Sequence, residues 1–216
     1  MNGIFWEGDF DKYFLGHQFE EIFKSRIYAP YLENKVAATV VDIGGNIGIF
    51  SLYAAKYAKQ VYCVEPSQRH IAILNYMFQF NKLTNVKLIP KAIFTENTTL
   101  PFGGPVNNTT MRSLHTATWQ DGKPDEQVET LTLDKLFDDE KIKHCDLLKL
   151  DIEGTEIEIF SGIGFKKVAD KIDTIVTERH SWTGRNPRQL DDALINNGFK
   201  VLKIENDADI IVATRL

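Results

Sequence analysis

Apolar and polar positions along this chain fall into two kinds of block. Short runs rich in β-branched residues stand at 38–43, 60–65, 85–89, 128–131, 145–150 and 173–178. Most show little polar alternation, which is the pattern of strands covered on both faces. Between them, apolar residues recur at three- and four-residue spacing, which predicts helices over 48–58, 67–81 and 132–137 and after 154, where Ile157 and Phe160 mark the buried face. Ser67 and Thr132 stand where N-caps belong, and Asn186-Pro187 opens a last helix that Gly198 closes. Runs at 199–204 and 209–213, joined by four residues, predict an antiparallel hairpin. Strand–helix alternation predicts an α/β fold with a parallel sheet and helices on both faces, its first half building outward in the order 3-2-1.

Two stretches break the pattern. Residues 12–28 read as a helix stopped before Pro30, and residues 1–35 as a lid segment that could turn Tyr13, Glu20 or Tyr28 toward a ligand. Residues 95–127, with Gly103, Gly104, Pro105 and several Asn and Thr, read as irregular structure or a short hairpin. A loop of that length is more often functional than idle, and Met111, Arg112, His115 and Trp119 are its candidate substrate contacts. No linker or repeat divides the chain, so residues 1–216 read as one domain.

Composition narrows the function. The 216 residues are 43% hydrophobic and 25% charged, with net charge -5 and a pI of about 5.6. An acidic total disfavours a nucleic-acid partner, although Lys166, Lys167, Lys171, Arg179, Arg185 and Arg188 keep a local basic patch in play. No apolar run approaches the roughly 20 residues of a membrane span. The N-terminus has no basic region followed by an apolar one, which points to a cytoplasmic location. Asn97-Thr98-Thr99 and Asn108-Thr109-Thr110 then read as polar loop rather than glycosylation sites. Cys63 and Cys145 flank the first strand at roughly 9–10 Å, beyond the ~7 Å reach of a disulfide, and read as free thiols.

The candidate chemistry begins at Val40-Val41-Asp42-Ile43-Gly44-Gly45-Asn46-Ile47-Gly48, a strand, a glycine turn and a helix start. No Gly-Lys-Ser/Thr follows, so it is not a P-loop. The glycines do not stand at first, third and sixth positions, so it is not the dinucleotide fingerprint. What remains is D-x-G-x-x-x-G on Asp42, Gly44 and Gly48, which an ordinary glycine turn would also satisfy. Acids end the predicted strands at Asp42, Glu65, Asp151 and Glu178, the rim where such sheets bind ligands.

From Val40 to Phe199 the chain resembles the FkbM family of S-adenosylmethionine (SAM)-dependent methyltransferases. The resemblance rests on residues 40–48, on Val64-Glu65-Pro66, on Asn81 with Asn85-Val86, on Ala92, and above all on Asp146 to Glu156, a Lys-x-Asp-x-Glu-Gly-x-Glu run. Gly45 stands where many members carry alanine, a departure read as trivial. The resemblance implies the class I methyltransferase fold: a seven-stranded, mostly parallel sheet of order 3-2-1-4-5-7-6 ending in an antiparallel hairpin. It also implies O-methylation of a hydroxyl on a small molecule, sugar or lipid, with SAM as the methyl source.

On that reading the cofactor site comprises Asp42, Gly44, Asn46, Gly48, Glu65, Pro66 and Ala92. Glu65 accepts from both ribose hydroxyls, Gly44 and Gly48 let the backbone approach the ligand, and Asp42 holds the turn and reaches the ligand's amino group through water. The candidate catalytic residues are Asp151, Glu153, Glu178 and His180. Asp151 leads by position, and His180 has the unperturbed pKa nearest neutrality, about 6.5. Glu156 is expected to cap a helix or pair with Lys149. A divalent ion on Asp151, Glu178 and His180 ranks below a metal-free mechanism. An RNA methyltransferase and a non-catalytic SAM-binding subunit are the alternative functions.

Overall fold

Val40, Val41 and Ile43 are apolar at successive positions and all buried, because the strand they build is covered from both sides. The computed structural model describes residues 22–23, 26–35, 37–104, 111–116, 119, 123–186, 188–204 and 207–216. Most of the expected helix at 12–28, with Tyr13 and Glu20, therefore lies outside the described residues.

The main sheet contains β1 (Ala38–Ile43), β2 (Ala58–Val64), β3 (Val86–Ile89), β7 (Cys145–Leu150), β8 (Ile172–Glu178), β9 (Phe199–Ile204) and β10 (Asp207–Arg215), in the order β3-β2-β1-β7-β8-β10-β9. Counting only strands of this sheet, the order is the expected 3-2-1-4-5-7-6. All pairings are parallel except those of β10, which runs antiparallel to both β8 and β9. A second, smaller sheet of β4 (Ala92–Ile93), β6 (Glu126–Leu131) and β5 (Thr99–Phe102) includes part of the stretch read as irregular, Thr99–Phe102 and the start of β6. Its β5–β6 pair is antiparallel and joins residues 24 to 30 positions apart, a partnership that local periodicity does not encode.

Helices cover both faces: α1 (Ala29–Leu32), α2 (Ile49–Ala54), α3 (Gln68–Phe80), α4 (Leu133–Asp139), α5 (Glu156–Ser161), α6 (Ile163–Lys166) and α7 (Arg188–Asn196). Alternate strand residues feed two cores. Val41, Leu148, Ile175 and Ile211 pack with Phe137, Phe160 and Leu194, while Val40, Leu147, Val176 and Val212 pack with Leu32, Phe50 and Tyr53. The helix expected to run to Ala58 stops at Ala54, because Ala58 is already paired with Ala38 in the sheet. The Asn85 amide fastens that junction by donating to the carbonyls of Ala55 and Ala58.

Ser67 does occupy the N-cap of α3, with extended backbone angles. Its hydroxyl does not cap the helix, however; it donates to Glu126, whose other oxygen accepts the Gln68 N–H at 2.8 Å. Asn186 caps α7 as expected, accepting the Arg188 N–H, and Gly198 beyond it has φ +86°. Cys63 and Cys145 are free and buried, and burial pushes both thiols up. Cys63 lies opposite Asp42, whereas Cys145 precedes by two residues Leu147, the partner of Val40, so offset along the strands adds to their separation. Among the described residues no helix is long and apolar enough to cross a membrane.

Candidate active site

The chain leaves β1 toward β2 on one side and enters β7 on the other, so the carboxyl ends of β1 and β7 border a topological switch point. A cleft of about 880 Å³, measured to its open mouth, lies there. It is lined by Gly44 and Asn46 of the turn, Glu65 and Pro66 after β2, Ala92 in β4, and Asp151 and Glu153 after β7. Glu178 and His180 border an adjoining hollow of about 310 Å³. Asp42 and Gly48 do not line the cleft.

Asp42 is fully buried under the turn, where its carboxylate accepts the Ser51 hydroxyl at 2.6 Å. Burial raises its pKa, against the pull of the Lys149 ammonium 3.8 Å away. It thus ties β1 to α2. The glycines answer to protein contacts too. A Cβ on Gly44 (φ +80°) would lie 1.8 Å from the Asp151 carbonyl oxygen, and one on Gly48 (φ +91°) would lie 2.6 Å from Leu74 Cδ2. Gly48 therefore clears space for α3 rather than for a ligand. Gly45 is no trivial departure either, since a Cβ there would meet Cys63 Sγ at 2.4 Å.

At one end of the cleft, Glu65 binds three donors. Its Oε2 accepts the Asn46 N–H at 2.8 Å; its Oε1 accepts the Ser67 N–H at 2.9 Å and faces His70 Nδ1 at 3.1 Å. The carboxylate braces the glycine turn against α3. Beyond it, Ala92, Ile93, Phe102 and Leu114 form an apolar wall. Arg112 closes that wall, buried, its guanidinium held by both oxygens of Asp125 (3.0 and 2.7 Å) and by Glu126 (2.6 Å). These acids stand 13 and 14 positions after the arginine, a separation that no sequence periodicity relates. Of the other loop candidates, Trp119 donates its indole N–H to the Ser113 carbonyl, and His115 stands edge-on to Trp182. Two buried polar atoms of cleft-lining residues, Asn46 Oδ1 and His70 Nε2, lack hydrogen-bond partners among the described residues. An apolar slot beside a buried acid and orphan polar atoms suits a ligand with a flat ring and hydroxyls.

The other end is built by the turn after β7. Glu153 (φ +59°) and Gly154 (φ +109°) are consecutive left-handed residues, a conformation that costs a glutamate energy. Glu156 holds the turn in place: its carboxylate accepts the N–H groups of Ile152 and Gly154, each at 3.0 Å, and stands 3.0 Å from His180 Nδ1. It does not pair with Lys149, whose ammonium lies 3.3 Å from Asp151. On its far side, His180 Nε2 is 3.3 Å from Glu153 and 3.7 Å from Asp151.

Burial pulls the His180 imidazolium pKa down, but Glu156, Glu153 and Asp151 around it push it up to about 10. The ring is therefore a cation at neutral pH, not the base that its ordinary pKa suggested. Burial and the negative charge of Asp151 raise Glu153 to about 8, against the opposing charge of His180. Glu153 is thus a carboxyl poised near neutrality and facing the cleft. One atom each of Asp151, Glu178 and His180 lie within 4.8 Å of one another, close enough to share an ion. An ion there would have to displace the proton that the surrounding carboxylates hold on His180.

Three of the six residues suggested as a basic patch are paired with acids. Lys167 bonds to Asp134 at 2.7 Å, Arg179 to Asp191 at 2.6 Å, and Arg185 to Glu158.

Comparison with known proteins gives these features a family context. A family model described as the methyltransferase FkbM domain matches residues 42–201. The chain is 27% identical over 194 residues to methyltransferase sdnD of Sordaria araneosa, covering 76% of this chain and 74% of that protein. Among solved structures it resembles a methyltransferase FkbM from Methylobacillus flagellatus KT (14% identity, TM-score 0.55), over 82% of this chain but only 43% of that one. It also resembles SMU.1697c, a Streptococcus mutans protein crystallised with SAH (10% identity, TM-score 0.52, 89% and 97% covered).

Proposed function

The chain belongs to the FkbM methyltransferase family, and from that premise we propose that it is a SAM-dependent O-methyltransferase acting on a hydroxyl of a small molecule, sugar or lipid. The residues fit such a cofactor. Glu65, with the unpartnered Asn46 oxygen, suits a ribose; the wall of Ala92, Ile93 and Phe102 suits an adenine; and the acids after β7 suit the positive charges of the methionine end. When bound, SAM supplies a methyl group on a sulfonium centre.

The observation that carries the O-methylation reading is Glu153. An alcohol is a poor nucleophile until its proton is shared, so transfer to oxygen gains from a base whose pKa lies near the working pH. Glu153, at about 8 and facing the cleft, meets that condition. Its carboxylate accepts the hydroxyl proton as the oxygen takes the methyl group. The His180 imidazolium, anchored by Glu156, balances the negative charge on Asp151 and Glu153. Asp151, beside Lys149 at the switch point, orients the reactants. No ion is needed for these roles, so EDTA should leave transfer intact, and its loss on chelation would overturn the metal-free part of the reading.

Incubation with methyl-labelled SAM and fractionated cell extract tests the function. Label is expected in a small molecule, glycoside or lipid as a methyl ether. Label released by ribonuclease, or SAM binding with no transfer to any fraction, would overturn it. The pairing of Lys167, Arg179 and Arg185 with acids argues against an RNA acceptor.

A further inference from the structure

A carboxylate offers about four lone-pair sites, and Glu65 has three of them occupied by the protein. Oε1 has its two directed at Ser67 N–H and His70 Nδ1, and Oε2 has one directed at Asn46 N–H. One remains, on Oε2. A vicinal diol brings two donors, so the expectation that Glu65 accepts both ribose hydroxyls asks for one acceptor more than this carboxylate has left.

His70 is placed to make up the difference. It lies in the first turn of α3 and lines the same cleft. Facing a carboxylate, Nδ1 of the neutral ring is the donor, which leaves the lone pair on Nε2. That Nε2 is buried and lacks a hydrogen-bond partner among the described residues. An unmet acceptor beside a carboxylate with one free site is a pair matched to two neighbouring hydroxyls. We infer that His70 is a ribose-binding residue: its Nε2 accepts one of the two vicinal hydroxyls of the cofactor while Glu65 accepts the other. Asn46 Oδ1 is also orphaned, but its amide can turn over and present a donor instead, whereas Glu65 fixes the His70 tautomer.

The inference rests on the cofactor reading, and binding separates the two. Calorimetry compares SAH with its 2′-deoxy and 3′-deoxy analogues on the wild-type chain, on His70→Phe and on Asn46→Ala. A neutral hydrogen bond is worth roughly three- to tenfold in affinity. The wild type is expected to lose about that much with the analogue that lacks the hydroxyl on His70, and roughly tenfold or more with the one that lacks the hydroxyl on the Glu65 carboxylate. H70F is expected to bind SAH three- to tenfold more weakly and to lose nothing further with one of the two analogues, while keeping its discrimination against the other. Discrimination of both hydroxyls retained in H70F, or lost instead in N46A, overturns the role of His70. If the wild-type chain does not bind SAH at all, the cofactor reading itself fails.

Should H70F not fold, the unaltered protein carries the test. The ¹⁵N resonance of His70 Nε2 should move to a hydrogen-bonded position on adding SAH, and fail to move with one deoxy analogue. A resonance indifferent to all three ligands overturns the inference.

Discussion

Glu65, buried, and Glu153, half-buried, stand on the rim of one cleft, and their neighbours give them different work. Glu65 is surrounded by donors, so it binds and braces; Glu153 is shielded from water and stands beside Asp151, so it holds its proton to about pH 8. Glu65→Ala is therefore expected to weaken SAH binding at least tenfold. It should also cost about 2 kcal/mol of stability, because the buried Ser67 N–H and the half-buried Asn46 N–H lose their partner. Unchanged affinity in calorimetry would remove Glu65 from the site. Glu153→Gln is expected to leave SAH affinity within about twofold while lowering kcat roughly a hundredfold or more. Since the base must be ionised to act, wild-type kcat should rise with pH through about 8 and the variant's should not. A variant with full turnover would clear Glu153 of the role.

Elements in this fold are joined by contacts that leave little room. The turn between β1 and α2 passes so close to β2 that Gly45 abuts Cys63. Gly45→Ala should therefore destabilise the protein by about 1–3 kcal/mol through overpacking, with Cys63→Ala recovering much of the loss in the double variant. Thermal unfolding of the four proteins checks this, and additive effects would mean that the two residues do not touch. The first turn of α3 shows the same economy. Ser67 holds the N-cap position by its backbone, while Glu126, from a strand of the small sheet, binds the helix's exposed N–H. Propensity located the helix start, but the capping acid came from 58 residues away.

Across the molecule, the end of β8 is tied to the turn after β7 through His180 and Glu156. The folded state raises the pKa of His180 from 6.5 to about 10 and of Glu153 from 4.5 to about 8, so it binds more protons than the unfolded chain between these values. The sign follows: stability from His180 is fully present below about pH 6.5 and is lost as pH rises through 10, and that from Glu153 is lost between about 4.5 and 8. Denaturant titrations should show stability falling from pH 5 to pH 10. Glu153→Gln should flatten the lower part of the slope and His180→Gln the upper. A wild-type profile that rises over this range would contradict the assigned directions.

The sequence by itself determined the sheet and much of the rim. Buried parallel strands need unbroken apolar runs, and a strand that stops at a ligand-facing edge stops on a polar residue; both are local properties, visible at Val61–Glu65 and Leu147–Asp151. Resemblance added the family through Lys149 to Glu156. Only the tertiary structure decided what each polar residue does there. Asp42 proved to be a buried strut, Gly48 a packing site for Leu74, and Glu156 the clamp on His180 rather than a partner of Lys149. A pKa or a free lone pair depends on which groups from distant segments are brought within a few ångströms. Periodicity does not record those distances, which is why His180 read as a base and His70 did not stand out.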